Sequence, residues 1–138
     1  SMVVPILSLL PLPLVQNIVG RSGGTSKGER QLWVALEDLI AELTRGTRDR
    51  VVVTGHSLGG GLAQIVATRL QLPAMVFSAP GIVYSAHRFE LDVERAAHIV
   101  VVIPENDVIP RVDRQAGVVQ PIACREKDGL PSSSASCH

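Results

Sequence analysis

The chain has 138 residues, enough for one domain, and its 13 basic and 13 acidic residues give a formal net charge of zero. Without a basic excess, the composition argues against a nucleic-acid-binding protein, and no acidic run indicates a cation-binding tail. Only 3% of the residues are aromatic although 46% are hydrophobic, so aliphatic side chains must build the core, which is typical of buried parallel strands.

The start of the chain is apolar and interrupted by prolines. Residues 1–2 are interpreted as a vector remnant. The run after them is too short and proline-rich to span a bilayer, and without a basic start or clear cleavage site it predicts no signal peptide. Residues 3–25 are expected to be a loop or lid-like lead-in to a single partial domain over residues 3–138. A buried strand near residues 3–10 is the alternative, while an apolar loop over an acyl site is favoured for residues 11–15.

A helix is predicted to follow this lead-in. Ser26 and Glu29 have the spacing of a capping box, in which the two side chains satisfy free backbone amides at a helix start. Gly46 is expected to end the helix. Between these positions, apolar residues recur at helical spacing and form one face: Leu32, Ala35, Leu36, Leu39, Ile40 and Leu43. The acidic residues on the opposite side indicate a solvated face: Glu37, Asp38 and Glu42.

The rest of the chain alternates aliphatic runs with helical or loop segments. The pattern predicts a helix over Leu58 to Leu70, a partly helical stretch over Ile82 to Arg95, and strands over Val51 to Thr54, Ala74 to Ser78, His98 to Ile103 and Val118 to Ala123. Pro121 makes the last strand an edge or antiparallel strand. Strands alternating with helices predict an α/β fold with a mainly parallel sheet and right-handed crossovers. Such sheets bind ligands at the carboxyl ends of their strands.

The stretch Gly55 to Gly59 reads Gly-His-Ser-Leu-Gly and lies between a predicted strand and a predicted helix. This is the pattern of a nucleophile elbow, in which Ser57 is held in a strained turn with its hydroxyl clear of the chain. The Leu58 N–H would lie at the helix N-terminus, where it can stabilise an oxyanion. A plain glycine-rich turn is the alternative. A phosphate-binding loop is not supported, because the longer loop and its lysine are absent.

A serine nucleophile needs a base and an acid that orients the base. Asp107 comes a few residues after a predicted strand and should lie at the same rim of the sheet as Ser57. Glu105 is on the approach turn, and Asp113 is expected to be a surface charge or an ion-pair partner of a neighbouring arginine. The alternative for Asp107 is a turn-forming aspartate, which is common at such positions.

The base is assigned by chain order, since α/β-hydrolases place the serine first, the acid second and the histidine last. His56 is too close to the nucleophile, His87 precedes the acid, and His98 starts a strand at the far end of the sheet. His138 alone follows Asp107. A frayed terminus or tag remnant is the alternative for this residue.

The two cysteines leave the redox state of the chain open. A disulfide between Cys124 and Cys137 would tether His138, and two free thiols are the alternative. The spacing of cysteine and histidine residues does not resemble a zinc site, so no metal is predicted.

Several segments together resemble class 3 (fungal-type) triacylglycerol lipases, in particular the branch that contains autophagic-body phospholipases. The resemblance covers about Lys27 to His138 and rests on four segments: Val52 to Ala63, Phe77 to Gly81, Asn106 to Arg111 and Ser136 to His138. It implies that Ser57 is the nucleophile, Asp107 the acid and His138 the base. It also implies that the Leu58 N–H is one oxyanion donor.

The chain departs from the family pattern by being much shorter. The family's upstream strand, which ends in Arg-Gly-Ser/Thr and supplies a second oxyanion donor, has only Arg21 to Thr25 as a weak counterpart, in the wrong position. The helices that usually follow the histidine are absent as well. The fold class expected is therefore an incomplete α/β-hydrolase core, whose exposed sheet edges would promote self-association.

The function predicted is a serine hydrolase of carboxylic esters, a lipase or phospholipase that works through an acyl-enzyme without metal or organic cofactor. Its expected partners are a lipid or ester substrate and, peripherally, a membrane. The alternative is a catalytically inert hydrolase-fold fragment that binds lipid or a partner chain. Thioesterase or peptidase activity is less favoured, although the elbow by itself does not separate these reactions.

Overall fold

The computed structural model describes residues 2–5, 32–45 and 51–123, with the backbone alone for residues 2–5. Its elements are strand β1 (Met2–Pro5), helix α1 (Leu32–Leu43), strand β2 (Val51–His56), helix α2 (Ser57–Leu70), strand β3 (Ala74–Phe77), two 3-10 helices (Ala86–Arg88 and Val93–His98), strand β4 (Ile99–Pro104), a third 3-10 helix (Ile109–Arg111) and strand β5 (Val118–Ile122). The predicted capping box, the segment Arg21 to Thr25, both cysteines and His138 lie outside the described residues.

The five strands form one sheet in the order β1-β2-β3-β4-β5, and every neighbouring pair is parallel. The register pairs Val53 with Ala74, Ala74 with Ile99, and Val100 with Val118. All five carboxyl ends therefore lie at the same rim. The α/β fold with a mainly parallel sheet and flanking helices is confirmed.

The first residues of the chain belong to this sheet. Met2 pairs with Val51, and Pro5 pairs with Thr54. Residues 3–5 were expected to begin a loop or lid-like lead-in, and Met2 was assigned to a vector remnant. The alternative of a strand in this region applies to them instead, because β-branched valines at positions 3 and 4 can extend the sheet beside β2.

The last strand was predicted to be antiparallel or at an edge. β5 is at the edge, but it runs parallel to β4, so the antiparallel prediction is wrong. The chain between Pro104 and Val118 is long enough to return to the start of the sheet, which a parallel connection requires. Pro121 pairs with Ile103, and an edge strand tolerates a residue without a backbone N–H.

The segment between β3 and β4 contains two 3-10 helices rather than an α-helix. Asp92 caps the second of them by accepting a hydrogen bond from the Glu94 amide at 3.2 Å. His98 ends this helix and does not begin β4. The mixed periodicity of the sequence here reflects short turns that pack against α2 through buried Ala96.

One face of the sheet carries the core. Val53, Val76 and Val101 are fully buried against α2, which contributes a stripe of small and branched residues: Ala63, Ile65, Val66 and Ala67. Helix α1 packs on α2 through Leu36 and Ile40, as the helical spacing predicted.

Two contacts hold α1 in place at the surface. The rings of Trp33 and Phe89 meet edge to face with centroids 5.2 Å apart. Glu37 accepts a hydrogen bond from the Arg69 guanidinium, which also donates to the carbonyl of Phe89 at 3.0 Å. Glu37, predicted to be on a solvated face, thus joins α1 to α2.

The opposite face of the sheet is apolar and open within the described part of the chain. Met75 and Phe77 are 45% and 40% exposed, while their neighbours Ala74 and Val76 on the other face are buried. Sequential parallel strands joined by right-handed crossovers put every connection on the same face, so topology accounts for the difference.

No helix in the described ranges is long and apolar enough to cross a membrane.

Asp113 joins the connection after β3 to the connection after β4. Its carboxylate accepts hydrogen bonds from the amides of Tyr84 and Ser85 at 2.8 and 3.0 Å and from the Ser85 hydroxyl at 2.7 Å. The carboxylate thus binds backbone and hydroxyl groups, where a surface charge or an ion pair with a neighbouring arginine was expected. Partial burial raises the pKa of Asp113. These hydrogen bonds and one from the Arg114 amide lower it by more, so the net pKa lies below the usual value of 3.8.

The folded pKa of Asp113 lies below its unfolded value, so its stabilising contribution is present above about pH 4 and is lost as the pH falls through the folded pKa. We expect Asp113→Asn to lower the free energy of unfolding by about 1–2 kcal/mol at neutral pH, since charged acceptors are lost. The mutant should also lose less stability than wild type between about pH 5 and pH 3, because aspartate carboxylates ordinarily take up their proton in this range. Urea unfolding across this range checks both effects.

Asp92→Asn is the matched control, because asparagine caps a helix about as well as aspartate does. It should leave the unfolding free energy nearly unchanged at neutral pH. Equal pH dependence of Asp113→Asn and wild type would contradict the assigned role.

Candidate active site

The turn between β2 and α2 has the conformation expected of a nucleophile elbow. β2 ends at His56 and α2 begins at Ser57 with no intervening loop. Ser57 has a φ of 52°, in the left-handed region that residues with a Cβ rarely adopt. Holding a serine there costs on the order of 1–3 kcal/mol, which the surrounding packing must offset.

Glycines make this turn sterically feasible. A Cβ on Gly55 would lie 2.4 Å from the carbonyl oxygen of Gly59, so any side chain there would collide with the backbone of the first turn of α2. A Cβ on Gly60 would lie 2.7 Å from the Cβ of Ala79. The helix can therefore lie directly against the elbow strand and against the turn after β3.

The N-terminus of α2 presents free amides beside Ser57. The amides of the first helical turn, including that of Leu58, have no acceptor within the helix. His56 occupies the N-cap position in an extended conformation and makes no side-chain capping bond. The positive end of the helix dipole is therefore open to an oxyanion next to the serine.

Asp107 lies beyond the carboxyl end of β4 and is buried, with 5% of its surface exposed. Its Oδ1 accepts a hydrogen bond from the Ile109 amide at 3.0 Å, which is the turn-forming role considered as an alternative. Its Oδ2 is also buried but has no hydrogen-bond partner among the described residues. A buried acceptor without a donor is costly, so this oxygen is suited to receive an N–H from a further group.

The topology sets the spacing between the strands that precede Ser57 and Asp107. β3 lies between β2 and β4, so two strand spacings of about 4.8 Å each separate the strands that carry these residues. An imidazole ring and two hydrogen bonds of about 2.8 Å each fit into a gap of that size.

Within the residues that the structure describes, no group of three or more His, Cys, Asp or Glu side chains could hold a metal ion.

The other carboxylates considered for the acid are placed differently. Glu105 is exposed, and its amide donates to the carbonyl of Ile122 at 2.9 Å. The oxygens of Asp113 are bonded to backbone and hydroxyl groups of the preceding connection. Of the three, only Asp107 is buried at the rim with an oxygen that lacks a described partner.

None of the described histidines is placed as a base. His87 is exposed, with its Nδ1 3.2 Å from the carbonyl oxygen of Tyr84. His98 lies at the amino end of β4, opposite the rim, as predicted. His138 is outside the described residues, so its role stays a prediction.

Two features of the site were not predicted from the sequence. Ser78 and Asn106, which follow β3 and β4, have left-handed φ angles of 49° and 69°, as Ser57 does after β2. Gln115 donates from Nε2 to the carbonyls of Ala79 and Pro110 at 3.0 and 2.8 Å. Neither feature has a local signal, because none of these residues is a glycine and a single glutamine in a loop has no characteristic spacing.

Part of the chain is similar to known proteins. Residues 27–116 match the family model described as Lipase (class 3). The chain is 40% identical over 52 residues to "Putative lipase ATG15" of Debaryomyces hansenii, covering 38% of this chain and 8% of that protein. It is 49% identical over 39 residues to the proteins of the same name from Eremothecium gossypii and Candida albicans, covering 28% of this chain and 7% and 6% of theirs.

The chain spans less than a tenth of the length of these relatives. The matched region nevertheless contains β2 through the turn after β4, which is the part of the sheet that carries Ser57 and Asp107. A parallel sheet with helices packed on it agrees with an incomplete α/β-hydrolase core. The chain belongs to the class 3 lipase family.

Proposed function

We propose that this chain is the catalytic core of a serine hydrolase that cleaves carboxylic esters of lipids. The observation that carries the proposal is the left-handed Ser57 at the N-terminus of α2, on the same rim as buried Asp107, whose Oδ2 has no hydrogen-bond partner among the described residues. A serine hydroxyl at a helix N-terminus and a carboxylate two strands farther along are the fixed parts of an acyl-transfer site.

The mechanism proposed has two halves. In the first, the Ser57 oxygen attacks the ester carbonyl carbon while His138 takes the hydroxyl proton, and the Leu58 amide donates to the developing oxyanion. The tetrahedral intermediate collapses when the C–O bond to the alcohol breaks, and His138 gives the proton to the departing alcohol. In the second half, water attacks the acyl-enzyme in the same way and releases the carboxylic acid and Ser57.

Asp107 has an electrostatic and orienting part in this scheme. Its Oδ1 is fixed by the Ile109 amide, so the carboxylate cannot rotate freely, and Oδ2 is left to accept from the imidazole Nδ1–H. That bond would hold the ring in the tautomer that accepts the Ser57 proton and would stabilise the imidazolium that forms.

A lipid substrate is supported by the family and by the surface around the site. Val108, next to Asp107, is 66% exposed, and Val112 at the end of the same turn is 74% exposed. Arg111 between them is exposed as well. We propose that these side chains make the peripheral contact with a membrane, because exposed valines can enter the interfacial layer while the arginine between them is attracted to anionic lipid.

The second candidate is a fold that binds lipid or another chain without catalysis. The open sheet face with Met75 and Phe77 favours it, because such a face can also support self-association. The two candidates differ in whether Ser57 is required for turnover.

Ser57→Ala in the full-length protein should abolish labelling by a fluorophosphonate probe and lower hydrolysis of p-nitrophenyl butyrate by about three orders of magnitude or more, because the acyl-enzyme cannot form. Ser78→Ala is the matched control, since Ser78 is buried after the next strand with the same left-handed backbone. It should retain labelling. Equal labelling of the wild-type and Ser57→Ala proteins would exclude the acyl-enzyme.

Asp107→Asn should lower kcat by about two to four orders of magnitude, which is the loss expected when the acid of a catalytic triad is replaced. Asparagine keeps an oxygen for the Ile109 amide, so the turn should persist while the charge next to the histidine is lost. Steady-state kinetics checks this, with circular dichroism for folding. Asp113→Asn, assayed at a temperature where it is folded, should keep its kcat within about threefold.

Replacing Val108 and Val112 by serine should weaken co-sedimentation with vesicles of phosphatidylcholine and phosphatidylserine roughly tenfold, because each methylene removed from water contributes about 0.8 kcal/mol and both valines enter the membrane only in part. Hydrolysis of the soluble ester should be unchanged. Val118→Ser on β5, also exposed, is the control and should not alter vesicle binding. An equal loss with Val118→Ser would show that the contact is not at this turn.

A further inference from the structure

Gln115 connects two segments of the chain that carry the candidate site. Its side-chain Nε2 donates to the carbonyl of Pro110 at 2.8 Å and to the carbonyl of Ala79 at 3.0 Å. Pro110 belongs to the turn after β4, and Ala79 to the turn after β3. Both hydrogens of one planar amide are thereby used, which fixes the distance between the two turns.

Each turn is linked to one of the proposed catalytic residues, the first through helix α2 and the second through a hydrogen bond. The Ala79 side chain packs on Gly60 so closely that a Cβ there would lie 2.7 Å away, and Gly60 is in the first turn of the helix that begins at Ser57. On the other side, Ile109 precedes Pro110 and donates its amide to the Asp107 carboxylate. A continuous set of contacts therefore runs from the elbow helix through Gln115 to the acid.

We propose that Gln115 is a positioning residue that holds the Asp107 turn at a fixed separation from the elbow. This inference rests on the proposed function. A misplacement of about 1 Å in a catalytic group can reduce turnover a hundredfold. The carboxylate also has to stay aligned with the imidazole to stabilise its protonated form. Gln115 meets this need through its hydrogen bonds to the carbonyls of Ala79 and Pro110.

Gln64 provides a matched comparison. Gln64 is fully buried, whereas Gln115 is half-buried, and the Gln64 Nε2 donates to the carbonyl of Pro80 at 2.8 Å, so it holds the turn after β3 from the side of α2. No hydrogen bond of Gln64 among the described residues reaches the turn that contains Asp107. Loss of Gln64 should affect packing, whereas loss of Gln115 should affect the acid.

The test replaces each glutamine by methionine, which keeps the side-chain length and removes the donors. In the full-length protein, Gln115→Met should lower kcat for a soluble ester roughly tenfold to a hundredfold with KM changed less than twofold. The acidic limb of the pH profile of kcat/KM should move to lower pH, because a displaced carboxylate stabilises the imidazolium less. Gln64→Met should lower the melting temperature without moving that limb.

The proposal is overturned if Gln115→Met is folded and leaves both kcat and the acidic limb in place, or if Gln64→Met moves the limb equally. Should the methionine variant fail to fold, Gln115→Asn replaces it, because its shorter amide can reach only one of the two carbonyls and should give a smaller change in the same direction. No change with the folded asparagine variant also overturns it. If the parent shows no Ser57-dependent turnover, the proposed function fails together with this inference.

Discussion

The close approach of helix α2 to the sheet is the constraint on which the site depends. The helix begins directly at the end of β2, and Gly55 and Gly60 leave no side chain between it, the elbow strand and the turn after β3. This contact forces the serine into a left-handed backbone with its side chain at the rim. The strain is sustained because α2 is buried along most of its length, so packing of the whole helix opposes relaxation of one residue.

The order of the strands converts this local turn into a site. Parallel strands bring their carboxyl ends to one rim, and adjacent order places Ser57, Ser78 and Asn106, all left-handed, after three neighbouring strands. The central strand β3 separates the strand that precedes Ser57 from the strand that precedes Asp107. The same order leaves the far face of the sheet open in the described residues, so the arrangement that assembles the site also exposes Met75 and Phe77.

Sequence reasoning predicted the elements whose signal is local. The aliphatic runs of β2, β3 and β4 and the glycine-rich elbow identify strand, turn and helix from their own residues. The direction of β5 could not be predicted, because a short strand with Pro121 is compatible with either orientation at an edge. The roles of Asp113 and Gln115 depend on partners about 30 residues or more away in sequence, and no spacing rule indicates such contacts. His138 is the part of the candidate site for which prediction rests on chain order alone.

Two aspartates in one connection show how the surroundings decide between a structural and a chemical part. Both oxygens of the Asp113 carboxylate accept from amides or a hydroxyl, and the pKa of this group lies below its usual value. Asp107 is more deeply buried but has only one oxygen bonded, and its Oδ2 lacks a described donor. Leaving a buried carboxylate oxygen unpaired costs free energy, roughly 1–3 kcal/mol or more for a charged group. A fold retains such an oxygen at little cost if another donor binds it, and under the proposed function that donor is the N–H of a histidine at the same rim.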